Sequence, residues 1–453
     1  MKKHTYRACR VHEIRLSEVV PLLVGGCIVA LDVAKVKFVA ALATLEGEVV
    51  KLFRFDHPTE TTDFLLLLGA LEAALGAGKV KVAMEPTGTY GDAVRHQLAV
   101  RSVPVEMVSP KRTHDSQALF DNVSSLHDPK SATLVAKLCA MKLGTEWKPC
   151  APDRTRLRAL VELRQHEQGR FEQCQGRLEA LLARHWPEFG LYLDPRHQVS
   201  ALELLSQFGS AARVRREPAE ARALLHSASH GRLSPEAILE TLDGADSTLG
   251  VPMVLEEQQF MSLLASEALD SHRRMAAYEA QLRALSTDEG FVHLQNWMGT
   301  YTAAALIALC DPRQYANASE LVKACGLNLR EKSSGEHQGR LSITKRGPGV
   351  VRQVLYLFAL RMLQESPTVK AWYCKRRAYT EDAKQRAVVA VMRKLLKAAF
   401  HVARGATFDA KKLFDERRLE LPSPETIFRR QQPKARTQPR ARPGSAARPG
   451  ASA

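Results

Sequence analysis

Two carboxylates stand where a folded chain rarely keeps them. Asp32 ends the apolar run Ile28-Val29-Ala30-Leu31, and Glu85 closes a second short apolar stretch over 79–84. Inside a strand covered on both faces a carboxylate costs several kcal/mol unless it opens onto a polar pocket or a cation. More acids follow in the block Asp121-Asn122-Val123-Ser124-Ser125-Leu126-His127-Asp128-Pro129-Lys130-Ser131-Ala132, with Asp115 just before it. Carboxylates that converge from separate elements can hold two divalent ions about 4 Å apart, the device by which a phosphodiester is cut while one oxygen is activated and another stabilised. Asp32, Glu85 and an acid of the 121–132 block are therefore the candidates for a metal-dependent phosphoryl-transfer centre.

The elements that must position them read as α/β layers. Gly25-Gly26 opens a central strand ending at Asp32. Strand-like runs at 37–44 and 48–55, separated by Leu45-Glu46-Gly47, predict a hairpin. A polar start followed by the apolar run 64–68 predicts a helix over 59–75. The run 79–84 is a strand ending at Glu85-Pro86-Thr87-Gly88-Thr89-Tyr90, with a helix beginning near Tyr90; 103–108 is a fifth strand. The spacing of Leu134, Leu138 and Met141 predicts a helix over 131–143. This βββαβαβα order is that of the ribonuclease-H-like (RuvC-like) α/β fold, and in an open α/β sheet sites gather at strand ends. Asp32 and Glu85 are expected on neighbouring strands.

Composition sets the class of partner. The 453-residue chain is long enough for two or three cores, and 45% of it is hydrophobic. A formal charge of +16 favours a polyanion, with nucleic acid the first candidate. No apolar run approaches the ~18 residues of a membrane span, and 1–16 lacks the apolar core of a signal peptide, so a cytoplasmic protein that avoids membranes is expected. Eight cysteines are scattered without a Cys-x-x-Cys pair, which argues for reduced, mostly buried thiols and against a zinc site.

Downstream, 153–186 and 255–285 are charged and helical throughout, and two helices of similar length could pair as an antiparallel arm, within the chain or between subunits; an ordinary helical domain is the alternative. The connector 190–250 is mixed helix and loop without assignable chemistry. A mainly α part follows. It opens with Trp297-Met298-Gly299-Thr300-Tyr301-Thr302, where a Gly turn before a small-residue helix suggests a helix-hairpin-helix contact to a nucleic-acid backbone through Gly299 and Thr302. Residues 323–352 carry seven Lys or Arg against two Glu, and 370–404 carry ten against two acids, with Tyr356, Trp372 and Tyr373 interspersed. Such density favours a phosphate-binding surface. The tail 429–453 has seven basic residues, four prolines and no acid, and is expected to be disordered. The expected divisions are 1–25, an extension; 26–150, the α/β domain; 151–290, the arm with its connector; 291–415, the mainly α domain; and 416–453, the tail.

Three N-terminal blocks, Val29-Ala30-Leu31-Asp32-Val33-Ala34-Lys35, Glu85-Pro86-Thr87-Gly88-Thr89-Tyr90 and the 121–132 block, resemble the motifs of the DEDD transposases of bacterial insertion sequences, the group that includes the Piv-type DNA invertases and the bridge-RNA-guided recombinases. The resemblance implies a RuvC-like domain whose acids bind Mg²⁺. It makes Asp32 the first acid, Glu85 the second and Asp128 the third. Where the family has Asp-x-x-Asp-Ala this chain has Asp128-Pro129-Lys130-Ser131-Ala132, so Ser131 stands at the fourth acid's position. Residues three apart share a helix face, but a hydroxyl is a poor ligand for a hard cation. Asp121 or Asp115 could substitute, or metal affinity is impaired.

The C-terminal resemblance rests on Gly326-Leu327, Ser333-Ser334-Gly335, Gly339-Arg340 and Thr344-Lys345-Arg346-Gly347, with Leu329 in place of the family's proline. It implies a serine nucleophile that forms a covalent phosphoserine with the cut strand: Ser334 by register, Ser333 as runner-up. Arg340, Lys345 and Arg346 are near enough in sequence to bind the phosphate. The family further implies a dimer or tetramer acting on DNA with an element-encoded guide RNA. The expected function is that of an insertion-sequence transposase or site-specific recombinase. The alternatives are a RuvC-like nuclease using water and a catalytically impaired nucleic-acid-binding relative.

Overall fold

The computed structural model describes residues 7–86, 88–124, 127–331, 341–377 and 383–419. The chain separates into two compact units, 1–151 and 152–453.

In the first unit seven strands form one sheet: β1 (Cys9–Arg10), β2 (Cys27–Asp32), β3 (Lys37–Ala43), β4 (Val49–Asp56), β5 (Val80–Met84), β6 (Val105–Met107) and β7 (Thr145–Trp147). Their order is β1-β4-β3-β2-β5-β6-β7. The meander β2-β3-β4 is antiparallel, whereas β5 runs parallel to β2 and β6 parallel to β5. The five strands expected from the apolar runs are all present. The edge strands β1 and β7 were not foreseen, because two or three residues carry no periodicity.

Side chains alternate across the sheet. Val29 and Leu31 of β2 join Phe38, Phe53, Phe55, Phe64 and Leu68 in the larger core, on the side covered by the helix Thr61–Leu75. Ile28 and Ala30 face the other way, with Ala41, Ala43 and Ala83, onto Ala132, Val135 and Ala136 of the helix Asp128–Ala140. Small residues on both sides of this seam let the helix approach the sheet closely.

The second unit is mainly helical. The helices Pro152–His185 and Leu255–Ala284 pair within the chain. Arg164 meets Glu279 at 3.0 Å, Arg274 meets Glu167 at 3.0 Å and Arg184 meets Glu257 at 3.3 Å, an order that makes the pair antiparallel. The connector is more ordered than its sequence suggests. Val199–Phe208, Ala211–Arg216, Pro218–Ala228 and Pro235–Asp246 are helices whose Phe208, Val214, Leu225 and Ile238 share a core with Leu178, Leu182 and Trp186 of the arm.

The remaining core surrounds the helix Thr300–Cys310, in which Ala303, Ala304, Ala305, Leu306, Ile307 and Ala308 are all buried. It includes Leu157, Leu160 and Val161 from the foot of the arm and the helices Gly349–Glu365 and Ala383–Val402. A two-stranded ribbon pairs Leu329–Arg330 with Ser342–Ile343, antiparallel. Among the described residues all eight cysteines are free thiols, five of them buried, and no helix is long and apolar enough to cross a membrane.

Candidate functional site

Strand register brings the first two acids together. Leu31 of β2 pairs with Met84 of β5 in parallel register, so the next residues along, Asp32 and Glu85, leave the two strands side by side. Leu31 and Met84 both face the larger core, and Ala30 and Ala83 both face the opposite side. Alternation therefore directs Asp32 to the face covered by the helix Asp128–Ala140. Glu85 is 8% exposed.

That helix supplies the rest of the site from its first turn. His127 is the N-cap, its ring nitrogen accepting from the Lys130 amide, and Pro129 sits where a missing N–H costs nothing. Asp128 lies in the first turn, where the helix dipole favours a negative charge. Three residues on, Ser131 is buried and hydrogen-bonds the Asp32 carboxylate. A side chain thus does reach the site from the fourth acid's position, and it brings a hydroxyl donor instead of a ligand charge.

Burial, with the negative charges of Asp128 and Glu85 added, lifts the Asp32 carboxyl from the usual 3.8 to about 6. The Ser131 hydroxyl and the Val33 amide work in the opposite direction by bonding the ionised form. Three carboxylates are the hard oxygen donors that Mg²⁺ takes, so residue type and electrostatics fit a divalent ion. Among the described residues, however, no group of three or more His, Cys, Asp or Glu side chains is drawn close enough to hold one.

The other acids of the block are engaged elsewhere. Lys130, 3% exposed, donates to Asp121 at 2.9 Å and to the Val123 carbonyl at 2.6 Å. Asp115 pairs with Lys111 at 2.9 Å on the surface. The charges that act most on Asp32 are those of Asp128 and Glu85. Lys130 was missed in the sequence because a lysine beside a run of acids reads as a solvated charge.

Ser333, Ser334 and Arg340 lie outside the described residues. The strands that bracket them are anchored firmly. The Thr344 amide donates to the Asn328 carbonyl at 3.0 Å, the Thr344 hydroxyl to Asn328 Oδ1 at 2.5 Å and the Lys345 amide to the Gly326 carbonyl at 3.0 Å. Lys345 and Arg346 are exposed just after the ribbon. Gly299 and Thr302 are half-buried at a helix-Gly-helix turn, where Gly299 takes φ +87°. Arg361 donates to the Trp297 carbonyl at 3.0 Å and the Tyr301 hydroxyl donates to Gln165 at 2.9 Å, so the turn is braced from within its own unit.

Two family models match the chain. One, for transposases of the DEDD type of IS110 elements and described as "Transposase", covers residues 29–187 and so takes in Asp32, Glu85, Asp128 and Ser131. The other, described as "Transposase IS116/IS110/IS902 family", covers residues 298–374, from the helix Thr300–Cys310 through the ribbon to the helix Pro367–Arg377. No curated protein matches the chain. An acid cluster at the strand ends and an anchored ribbon in a basic helical unit thus fall within the two matched regions, and the chain carries the transposase domains of the IS110 family.

Proposed function

We propose that the protein cuts and rejoins DNA strands as the transposase of an insertion sequence, with Asp32, Glu85 and Asp128 as Mg²⁺ ligands and Ser334 as nucleophile. The observation that supports it most is the Asp32 carboxyl, pushed up to about 6 by burial and by two neighbouring acids that converge on it from β5 and a separate helix. Perturbation of that size by burial and specific charges marks functional carboxylates.

Bound Mg²⁺ would neutralise the developing phosphorane charge and lower the barrier to attack. Ser131 holds Asp32 in one orientation. Glu85, fixed at the end of β5, and Asp128, fixed in a first helical turn, present their charges from rigid elements. The Ser334 hydroxyl attacks phosphorus, a new P–O bond forms, the bond to the leaving sugar oxygen breaks, and the serine proton ends on that oxygen. A hydroxyl of the recipient strand then displaces serine, and the number of phosphodiesters is conserved. Neutral serine is a weak nucleophile and depends on this activation.

Lys345, Arg346 and Arg340 suit the phosphate, and the Gly299–Thr302 turn a second backbone contact. The RuvC-like character of the first unit, an element-encoded guide RNA, a homodimer or homotetramer and a cytoplasmic setting complete the proposal on the family resemblance. The test is strand cleavage with Mg²⁺ on the element's end DNA, with RNA transcribed beside it, scored for a covalent protein–DNA adduct. An adduct lost in Ser334→Ala supports the serine mechanism, cleavage without one makes the enzyme a hydrolytic nuclease, and tight binding without cleavage marks an impaired relative.

A further inference from the structure

A cavity of about 460 Å³ opens at the foot of the ribbon, lined by Tyr315, Glu320, Lys323, Ala324, Asn328 and Arg346. Its volume is that of a site for a small organic ligand. Two of its lining residues, Ala324 and Arg346, belong to a tight backbone crossing: a Cβ on Gly326, at φ +69°, would come 2.7 Å from the Arg346 nitrogen, and one on Gly347 would strike the Ala324 carbonyl.

Each lining group has a defined offer. Lys323 and Arg346 are exposed and form no ion pair with any described residue. Asn328 receives the Thr344 hydroxyl on its carbonyl oxygen, so its amide keeps two N–H donors. The Tyr315 hydroxyl is hydrogen-bonded to Cys310, and its ring, packed on one side against the helical core, lines the cavity. Glu320 is held by its own helix cap, accepting from the Ala316 amide at 3.2 Å and from the Asn317 side chain at 3.0 Å. Two cations against one acid leave the cavity positive, with an aromatic surface and an amide that can read a base edge.

We propose that this cavity holds one nucleotide of a DNA strand, its phosphate between Lys323 and Arg346 and its base against Tyr315 and Asn328. The proposal rests on the transposase reading and deepens it. The cavity lies where Asn328 leads into the ribbon and Arg346 follows it, within the region matched by the C-terminal transposase model. A base in such a cavity has left the helical stack, and stacking on an aromatic ring favours it whatever its identity.

The test uses the full chain and a single-stranded DNA 20-mer carrying one 5-iodouracil. Ultraviolet cross-linking with peptide mapping should label the Tyr315 peptide. Lys323→Ala and Arg346→Ala should each weaken binding about tenfold and lower the salt slope by about 0.7. Asn328→Ala should change preference among bases while leaving that slope unchanged. Glu320→Gln, which keeps one of the two acceptor oxygens for the helix start and removes the opposing charge, should tighten binding severalfold, a gain that misfolding cannot produce. Wild-type affinity and slope in Lys323→Ala and Arg346→Ala, with the phosphoserine adduct still formed, would overturn the cavity assignment and spare the transposase. No DNA binding and no adduct in the unaltered chain would overturn both. Preference for RNA over DNA of the same sequence, with the label still on Tyr315, would overturn the choice of DNA.

Discussion

Replacing Asp32 by Asn should stabilise the metal-free protein at neutral pH, although the residue is one of the proposed catalytic set. In the folded chain the carboxyl titrates near 6 and in the unfolded chain near 3.8. Between those values the folded state binds more protons, so stability falls as pH climbs through that window and stays lowered above it. A displacement of about two on the pH scale, at 1.36 kcal/mol for each, sets a ceiling of roughly 3 kcal/mol. Asp32 is only partly buried and Asp128 is exposed. Solvent screening therefore brings the expected gain down to about 1–2 kcal/mol, worth about 2–8 °C in Tm for a unit of this size. The assay is thermal and urea unfolding in EDTA at pH 5.0 and 7.5. Asp32→Asn should melt above the wild type at pH 7.5, with the gap narrowing at pH 5.0. Adding Mg²⁺ should raise the wild type and leave the variant unmoved. A variant less stable than wild type at pH 7.5 in EDTA, or a difference that ignores pH, would refute the placement of three interacting acids.

Other perturbations reach the same elements. Ser131→Asp restores a fourth acid at a buried position, so Mg²⁺ affinity by calorimetry should rise at least tenfold while the metal-free melting temperature drops; equal affinity in the two proteins would remove Ser131 from the site. Ala136→Leu forces a larger side chain into the seam with Ala30, Ala41 and Ala43 and should cost about 1–3 kcal/mol in urea unfolding. An unchanged midpoint would mean that the helix does not approach the sheet as described. Gly326→Ala meets both a positive φ and the Arg346 nitrogen, so a loss of more than about 1 kcal/mol is expected, and wild-type melting would argue against the tight crossing at the cavity.

The acids at the strand ends were legible because a carboxylate inside an apolar run breaks a pattern, and β2 and β5 are long enough to have one. The arm was legible for a similar reason: helices of 34 and 30 residues carry many turns of apolar spacing. Shorter elements escaped. β1 and β7, with two and three residues, hold no period, and the helices of the connector, 6 to 12 residues each, are broken by Ser, Pro and Gly that read as loop. At the site, spacing alone put Ser131 on the face of Asp128, but its bond to Asp32 depends on how closely an alanine seam draws the helix in. The capture of Asp121 by a buried Lys130 depends on the path of the intervening loop, for which local sequence has no signature.

The antiparallel arm also sets a timetable for synthesis. Arg164 must wait for Glu279, 115 residues later in the chain. At a ribosome's pace of about 5–20 residues per second, Arg164 spends roughly 6 to 23 s without its partner. Leu178, Leu182 and Trp186 can be covered in that interval by the connector's own helices, which emerge next and share their core. Leu157, Leu160 and Val161 have no such early companion, because their core is completed by helices that lie beyond residue 290. The foot of the arm therefore stays uncovered on a nascent chain longer than the arm's far end does.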